Sequence, residues 1–381
     1  MSAAWPQVSL GAVLTHRKEF IQINDLDKYK RCRVKLHAQG IVLRDVVTGS
    51  EIKTKKQQVC KAGEFLVAEI DAKVGGFGIV PDELNGSIVS SHYFLFGIDE
   101  AKLNKRFLDF YSRIPEFRDQ VAAQGSTNYA AIRPNDVLGY SIPLPSLAEQ
   151  QLIVARIEEL SAKIEVARGL RRQAVEEAEA LCRSIIFGDP NAVLTPMCEL
   201  VRQRGHDVQV TADQAYHFAG VYCFGRGVFR GQKKSGMDFA YKQLGQLKAG
   251  NFVYPKLMAW EGALGIVPKE CDGLFVSPEF PIFEVIENQV LPETLDVYFR
   301  TPAVWPQIAG ESAGTNVRRR RLNPKDFLAY KMPLPSMQTQ LQLRQVMQQV
   351  EGLKRLQAET AVELDAILPS ILDKAFKGKL Y

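Results

Sequence analysis

Histidine is scarce, cysteine is scattered and no long apolar run occurs in these 381 residues. The six cysteines (Cys32, Cys60, Cys182, Cys198, Cys223 and Cys271) form no Cys-x-x-Cys pair and have no histidine at metal-ligand spacing. That excludes a zinc finger or ribbon and reads as reduced, packed thiols of a cytoplasmic protein. The five histidines (His16, His37, His92, His206 and His217) make no spaced cluster, so no metal site is expected. No stretch approaches about 18 apolar residues, so no membrane span is expected. The start "MSAAWPQVSL" has neither a basic n-region nor an apolar h-region, so no signal peptide is expected. A P-loop lysine motif is missing, so ATP-driven motor activity must come from elsewhere. No Pro-Pro dipeptide exists, which removes the Asn/Asp-Pro-Pro-aromatic motif of a base methyltransferase; "CFGRGVF" (223–229) has two glycines but no helix signal after it.

What the chain does have, it has twice. "CKAGEFLVAEIDAKVGGFGIVPDELNGSIVSS" from Cys60 is echoed by "LKAGNFVYPKLMAWEGALGIVPKECDGLFVSP" from Leu247. Gly63 and Gly250, Gly78 and Gly265, Pro81 and Pro268 are each 187 residues apart. Pro134 and Pro324, Asp136 and Asp326, Pro143 and Pro333 are 190 apart, so the second copy gains three residues in between. Repeats of this length are duplicated domains rather than solenoid units. A hydrophobic content of 46% and a charged content of 24% suit a globular protein of two domains, each with its own core. The net charge of +5 is compatible with nucleic acid, and its placement matters more than its size. A molecule with two similar faces suits a near-symmetric target, of which double-stranded DNA is the leading candidate.

Each copy begins strand-rich. "EFLVAEIDA" and "SIVSSHYFLFGI" carry β-branched and aromatic residues between glycine and proline breaks. Helical spacing follows in "LNKRFLDFYSRIPEFRDQVAAQ" and in its echo "LPETLDVYFRTPAVWPQIAG", which Pro302 and Pro306 break. The "PLP" steps at 143–145 and 333–335 then force an extended strut. After each strut comes coiled-coil-like patterning. Ile153, Ile157, Leu160, Ile164, Ala167, Ala174, Ala178, Leu181 and Ile185 alternate spacings of three and four, with Arg171 in the skipped position. The second copy gives Leu343, Met347, Val350 and Leu353, then Leu364, Ile367 and Ile371 after a polar middle. Mutual packing of two long helices is expected, in preference to each helix packing only on its own domain. The 38 residues from Glu149 to Ile186 would span roughly 57 Å at 1.5 Å per residue.

At this point the residues resemble a known family. "SIPLPSLAEQQLIVARIEEL" looks like the first central conserved region of the specificity subunits of Type I restriction-modification systems, and "LPSILDKAFKGKL" looks like their closing segment. "EIDAKVGGFGIVP" and "SAGTNVRRRRLNPKDFLAYKMPLP" resemble their target-recognition domains. One departure is visible: Gln338-Thr339-Gln340 stands where the first copy has Ala148-Glu149-Gln150. The resemblance implies an α+β protein with target-recognition domains at 1–141 and 190–331. Spacer regions at 142–189 and 332–381 would hold the long helices, paired as an antiparallel coiled coil about a pseudo-two-fold axis. It implies a prokaryotic, non-catalytic subunit whose domains each read half of a split double-stranded DNA target. Two methyltransferase subunits and the restriction (motor-nuclease) subunits would be its partners. S-adenosylmethionine, ATP and Mg²⁺ would belong to those partners, and this chain would bind no cofactor and no membrane.

Candidate DNA contacts follow from charge and placement. Arg318, Arg319, Arg320 and Arg321 directly follow Gly314, Thr315 and Asn316. Alternate arginines of an extended run point to opposite sides, so two can reach DNA. Arginine offers bidentate donors to phosphate or guanine, and Asn316 can read adenine. The first-copy loop keeps Thr127 and Asn128, followed by Arg133, without the arginine run. A second basic stretch pairs Arg44, Lys53, Lys55 and Lys56 with Arg226, Arg230, Lys233, Lys234 and Lys242; it reads as contacting the phosphate backbone. Lys73 and Trp260 occupy equivalent positions, either facing DNA or, for Trp260, lying in the core. Two rivals remain. One is a coiled-coil scaffold that binds nucleic acid loosely. The other is a nuclease built on Asp45, Glu69, Asp71 and Lys73, which the second copy argues against by placing Lys256, Met258 and Trp260 at the last three positions.

Overall fold

The computed structural model describes residues 5–123, 131–308 and 321–380. The chain divides into two compact units, Met1–Gly169 with Thr360–Tyr381 and Leu170–Glu359. Both contain strands and helices, as the α+β expectation requires. The division falls inside the long helix, so each unit takes part of that helix and one stretch of the C-terminal helices.

Unit 1 holds a four-stranded antiparallel sheet in the order Leu14–Arg17, Tyr93–Ile98, Phe65–Ala68, Phe77–Ile79. Its second sheet runs Phe20–Gln22, Lys56–Val59, Ile88–Val89, Lys28–Val34, Ile41–Thr48. Successive strand residues face opposite ways, and here both faces are covered. Phe65 and Val67 enter one apolar cluster with Phe94 and Phe96, while Leu66 and Ala68 enter another with Leu95. That is why "FLVA" is apolar throughout rather than alternating.

Unit 2 repeats the plan. Its four-stranded sheet runs Val201–Arg204, Ile282–Val285, Phe252–Val253, Gly265–Ile266, and its five-stranded sheet Val208–Gln209, Gln243–Gln246, Phe275–Val276, Ala215–Tyr222, Gly227–Ser235. Even the single parallel pairing recurs, Arg31 beside Ile88 and Phe218 beside Phe275. The repeated Lys-Ala-Gly turn is held by a repeated clasp. In unit 1, Arg17 donates to Glu64 and to the Val59 carbonyl, and Glu64 accepts the Lys61 N–H at 2.8 Å. In unit 2, Arg204 donates to Asn251 at 2.8 Å and to the Gln246 carbonyl at 3.2 Å, and Asn251 accepts the Lys248 N–H at 3.1 Å. The amide keeps the acceptor geometry of the carboxylate and gives up its charge.

The struts behave as their prolines dictate. Ser141–Pro143 pairs antiparallel with Gln7–Ser9, and Lys331–Leu334 with Val193–Pro196. The helix Leu147–Phe187 follows the first strut, and Met337–Glu359 and Ala361–Phe376 follow the second. The second copy therefore carries two helices in place of the one expected, with Thr360 between them.

Mutual packing and packing on the local domain occur together. In unit 1, Ile153, Val154 and Ile157 share a cluster with Leu372 and Ala375 and with the domain residues Phe107 and Tyr111, while Arg168 pairs with Asp365 at 2.7 Å. As helix numbers fall from 168 to 153, partner numbers rise from 365 to 375, so the pairing is antiparallel. In unit 2, Cys182 and Ile186 share a cluster with Leu343 and Val350 and with Phe299. There Arg171 and Gln357 exchange side-chain-to-carbonyl hydrogen bonds at 3.0 and 3.2 Å, and Lys354 pairs with Glu179 at 3.1 Å.

Parts of the expected seam need correcting. Ile164 is buried, and Leu160, Met347, Leu353 and Leu364 are half-buried. Leu181 and Ile367 are instead 50% and 41% exposed, and Cys182 and Leu372 take the inward places. The cause is helical drift. A helix of 3.6 residues per turn slips about 20° per heptad from an ideal 3.5 repeat, so a stripe extrapolated over many turns walks off the buried face.

Candidate nucleic-acid interface

The buried glutamine of each "PLPS" segment ties strut, helix and domain together. Gln150 accepts the Asn104 N–H at 2.8 Å and donates to the carbonyls of Lys102 and Pro145, both at 2.9 Å. Gln340 accepts the Leu291 N–H at 2.8 Å and donates to the carbonyls of Gln289 and Pro335 at 3.4 and 3.0 Å. These bonds fix where each long helix leaves its domain.

The Ala-Glu-Gln to Gln-Thr-Gln departure also has a structural answer. In the first copy Ser146 and Glu149 cap each other reciprocally, with the Ser146 N–H donating to Glu149 at 3.0 Å. In the second copy Thr339 replaces the glutamate, and Asp189 reaches in from the preceding linker. Its carboxylate accepts from the Thr339 hydroxyl at 2.7 Å and the Ser336 N–H at 2.9 Å. Those donors, the Thr339 hydroxyl foremost, together with the Asn191 N–H, hold the Asp189 carboxyl down at about 2.

Turning to the expected DNA contacts, Thr127, Asn128, Thr315, Asn316, Arg318, Arg319 and Arg320 lie outside the described residues. The residues flanking them form a charge-exchanged pair of clasps. In unit 1, Arg133 donates to Glu69 at 3.0 Å, and His92 Nδ1 lies 2.7 Å from the same carboxylate. In unit 2, Lys256 stands at the Glu69 position and donates to the Pro278 carbonyl at 3.0 Å. The acid moves to Glu279, at the His92 position, and pairs with Arg321. Arg133 and Arg321 therefore meet carboxylates of their own unit, which brace the chain ends beside the Thr-Asn segments. Neither cation is buried, so both remain within reach of a polyanion.

The second basic stretch separates into cations that brace a turn and cations exposed at the surface. Lys55 donates to the Gly49 carbonyl at 2.7 Å and contacts Asp25 closely, so it braces its turn. Lys56 sits over the Phe20 ring at 4.8 Å. Arg44 and Lys53 are exposed and share a cleft of about 350 Å³. In unit 2, Arg230, Lys233, Lys234 and Lys242 are exposed, and Arg226 stacks on Tyr222 at 4.7 Å.

Lys73 and Trp260 lie in matching short turns, Asp71–Val74 and Ala259–Glu261, and both are half-buried. Hairpin tips dock on these turns. His37 and Ala38 donate to the carbonyls of Val74 and Gly75 at 2.7 and 2.8 Å, as Phe224 and Gly225 do to Glu261 and Gly262 at 2.7 and 3.0 Å. The tips run through the left-handed region, with φ of 60° at His37 and 63° at Phe224. The glycines of "CFGRGVF" serve this turn, Gly225 and Gly227 both having positive φ. Two of the three rival nuclease carboxylates are engaged elsewhere, Asp45 in a two-point pair with Arg31 at 2.7 Å and Glu69 in the clasp described above. Among the described residues no group of three or more His, Cys, Asp or Glu is placed to hold a metal ion, and no helix is long and apolar enough to cross a membrane. The polar cleft residues Arg31, Thr54, Gln57 and Tyr93 carried no motif, and only strand pairing brings them together.

Comparison with known proteins fits this arrangement. Residues 5–177 match the family of the Type I restriction modification DNA specificity domain. The Type I restriction enzyme EcoKI specificity subunit of Escherichia coli K12 is 18% identical over 308 residues, covering 72% of this chain and 65% of that protein. The EcoBI specificity subunit of Escherichia coli is 21% identical over 336 residues, covering 74% and 67%. The chain is therefore similar to the specificity subunits of Type I restriction enzymes. The match spans slightly less than two thirds of the EcoKI specificity subunit.

Two solved structures share the specificity-subunit fold. The HsdS subunit from Thermoanaerobacter tengcongensis superposes with a TM-score of 0.55 at 22% identity, covering 100% of this chain and 98% of that one. A chain from a structure of complex assembly and conformational transition of the type I R-M system gives 0.65 at 21% identity, covering 100% and 99%. At such identities the likeness concerns the fold.

Proposed function

We propose that this chain reads a split double-stranded DNA target, one half with each unit, and brings methyltransferase and restriction subunits to it without performing chemistry itself. The observation that carries this reading is the contrast within the repeat. Sheet order, clasps and struts are the same in both units, while the exposed cations around them differ. Divergent surfaces on one repeated scaffold suit two different half-sites, and exposed arginines and lysines supply the attraction to phosphate. The match of residues 5–177 to the Type I DNA specificity domain supports the same reading. S-adenosylmethionine, ATP and Mg²⁺ then belong to the partner subunits, two of them methyltransferases.

The deciding test is methylation sequencing of DNA from cells making this chain with its cognate methyltransferase subunit, against cells lacking the chain. The expected result is a new split motif, one half of which changes when residues 190–331 are exchanged for those of another family member. A stable complex that yields no motif would overturn the reading and leave a scaffold role.

A further inference from the structure

The two units place a β-bulge at the same point of their five-stranded sheets and surround it with opposite chemistry. In unit 1 pairing jumps between Arg31 and Cys32, leaving Arg44 as the extra residue on the facing strand. A bulge re-aims the side chain it carries, and Arg44 lines the 350 Å³ cleft with Arg31, Lys53, Thr54, Gln57 and Tyr93. Arg31 is fixed by Asp45, whereas Arg44 stands 3.6 Å from that carboxylate with a side chain 57% exposed. Lys53 is exposed and makes no ion pair among the described residues. Gln57 is 6% exposed and donates to the Thr54 carbonyl at 2.6 Å, which fixes the turn that carries Lys53.

In unit 2 the bulge recurs between His217 and Ala219. Besides the acid that both units keep (Glu51 and Asp238), the positions of Arg31, Arg44, Lys53, Thr54, Gln57 and Tyr93 are held there, 187 residues on, by Phe218, Gly231, Ala240, Tyr241, Leu244 and Phe280. Phe218 packs edge-on against Phe239 with ring centres 5.1 Å apart, and Phe239 lies 6.0 Å from Tyr241, which is 42% exposed. The fold does not require the contrast, because the bulge and the turn after it are kept. Thr48 and Glu51 cap that turn in unit 1, and Ser235 and Asp238 in unit 2. Leu244, fully buried, shows what the scaffold accepts where unit 1 buries a glutamine at a desolvation cost.

We propose that this bulge site is the base-reading site of each unit. In unit 1, Arg44 and Lys53 contact an acceptor-rich base edge, that of guanine O6 and N7. In unit 2, Phe218, Phe239 and Tyr241 contact apolar base surface, that of the thymine methyl. Lys233 and Lys242 flank the aromatic face with charge that suits the phosphates of the same half-site. This inference rests on the DNA-reading function proposed above and moves Arg44 and Lys53 from backbone contact to base contact.

The test is methylation sequencing with the cognate methyltransferase subunit for the wild-type chain, Lys53→Ala, Arg44→Ala and Tyr241→Ala. All three side chains are exposed, and matching melting temperatures would verify the fold. Lys53→Ala and Arg44→Ala are expected to relax one G·C position in one half-site at least tenfold and to leave the other half unchanged. Tyr241→Ala is expected to relax an A·T position in the other half. Unchanged discrimination at every position would overturn the assignment, as would a uniform loss of methylation across all sequences, which marks phosphate contact only. A wild-type chain that directs no split motif would overturn the DNA-reading function itself, a separate outcome.

Discussion

Single side chains in this protein carry disproportionate structural weight where they are buried, polar and fully bonded. Gln150 and Gln340 each satisfy three backbone groups in two separate segments, so truncation orphans several at once. Gln150→Ala and Gln340→Ala are each expected to cost about 3 kcal/mol, measured by urea unfolding. Asp189 acts differently, because its contribution depends on charge. Its folded carboxyl lies below the ordinary value of 3.8, at about 2. A depressed acid stabilises the folded state above the unfolded value and loses that contribution as pH falls through the folded one. The wild type should therefore melt above Asp189→Asn at neutral pH, with the gap closing between roughly pH 4 and pH 2. A gap that persists at the acid end would show that the charge is not what matters. Glu149 caps Ser146 from three residues away, whereas Asp189 reaches Thr339 across 150 residues and so left no local pattern to read.

The long helices show how far periodicity can be trusted at the level of an element. Ile153, Ile157 and Ile164 fell on the buried face, near the start of the stripe. Leu181, nearly five turns beyond Ile164, did not, and neighbouring Cys182 and Ile186 did. Ile186→Ala is therefore expected to cost about 2–4 kcal/mol. Leu181→Ala should stay within about 0.5 kcal/mol. Denaturant midpoints for the two variants would distinguish the seam observed from the seam extrapolated. The break at Thr360 was likewise hidden, since "QAETAVELDAIL" has helix-forming composition on both sides and carries no glycine or proline stop.

Across the molecule, unit 2 is one continuous stretch of chain, whereas unit 1 is completed by a distant segment, Thr360–Tyr381. Unit 1 needs Leu372, Ala375 and Phe376, which close over Phe107, Tyr111, Ile153 and Ile157. Deleting residues 360–381 removes those contacts from unit 1 and leaves the segment Leu170–Glu359 of unit 2 whole. Calorimetry of the truncated chain should show the transition of unit 1 lowered or lost and that of unit 2 kept. Equal lowering of both would contradict the division. The mixed architecture, the duplication, the extended struts and the family likeness were all readable in advance, because each rests on local sequence or on internal comparison.

Local rules fixed what depends on neighbours in the chain: proline set the struts, the 187-residue repeat set the number of units, and apolar spacing set the existence of the helices. Folding in three dimensions decided everything that depends on residues far apart in sequence. It chose which helical face is buried, it supplied a carboxylate from one segment to cap another, and it separated Arg44 and Lys53, which open into a cleft, from Lys55, which is spent on its own turn. No pattern along the chain could have told those lysines apart, because their composition and spacing are alike and only the partners brought up by strand pairing differ.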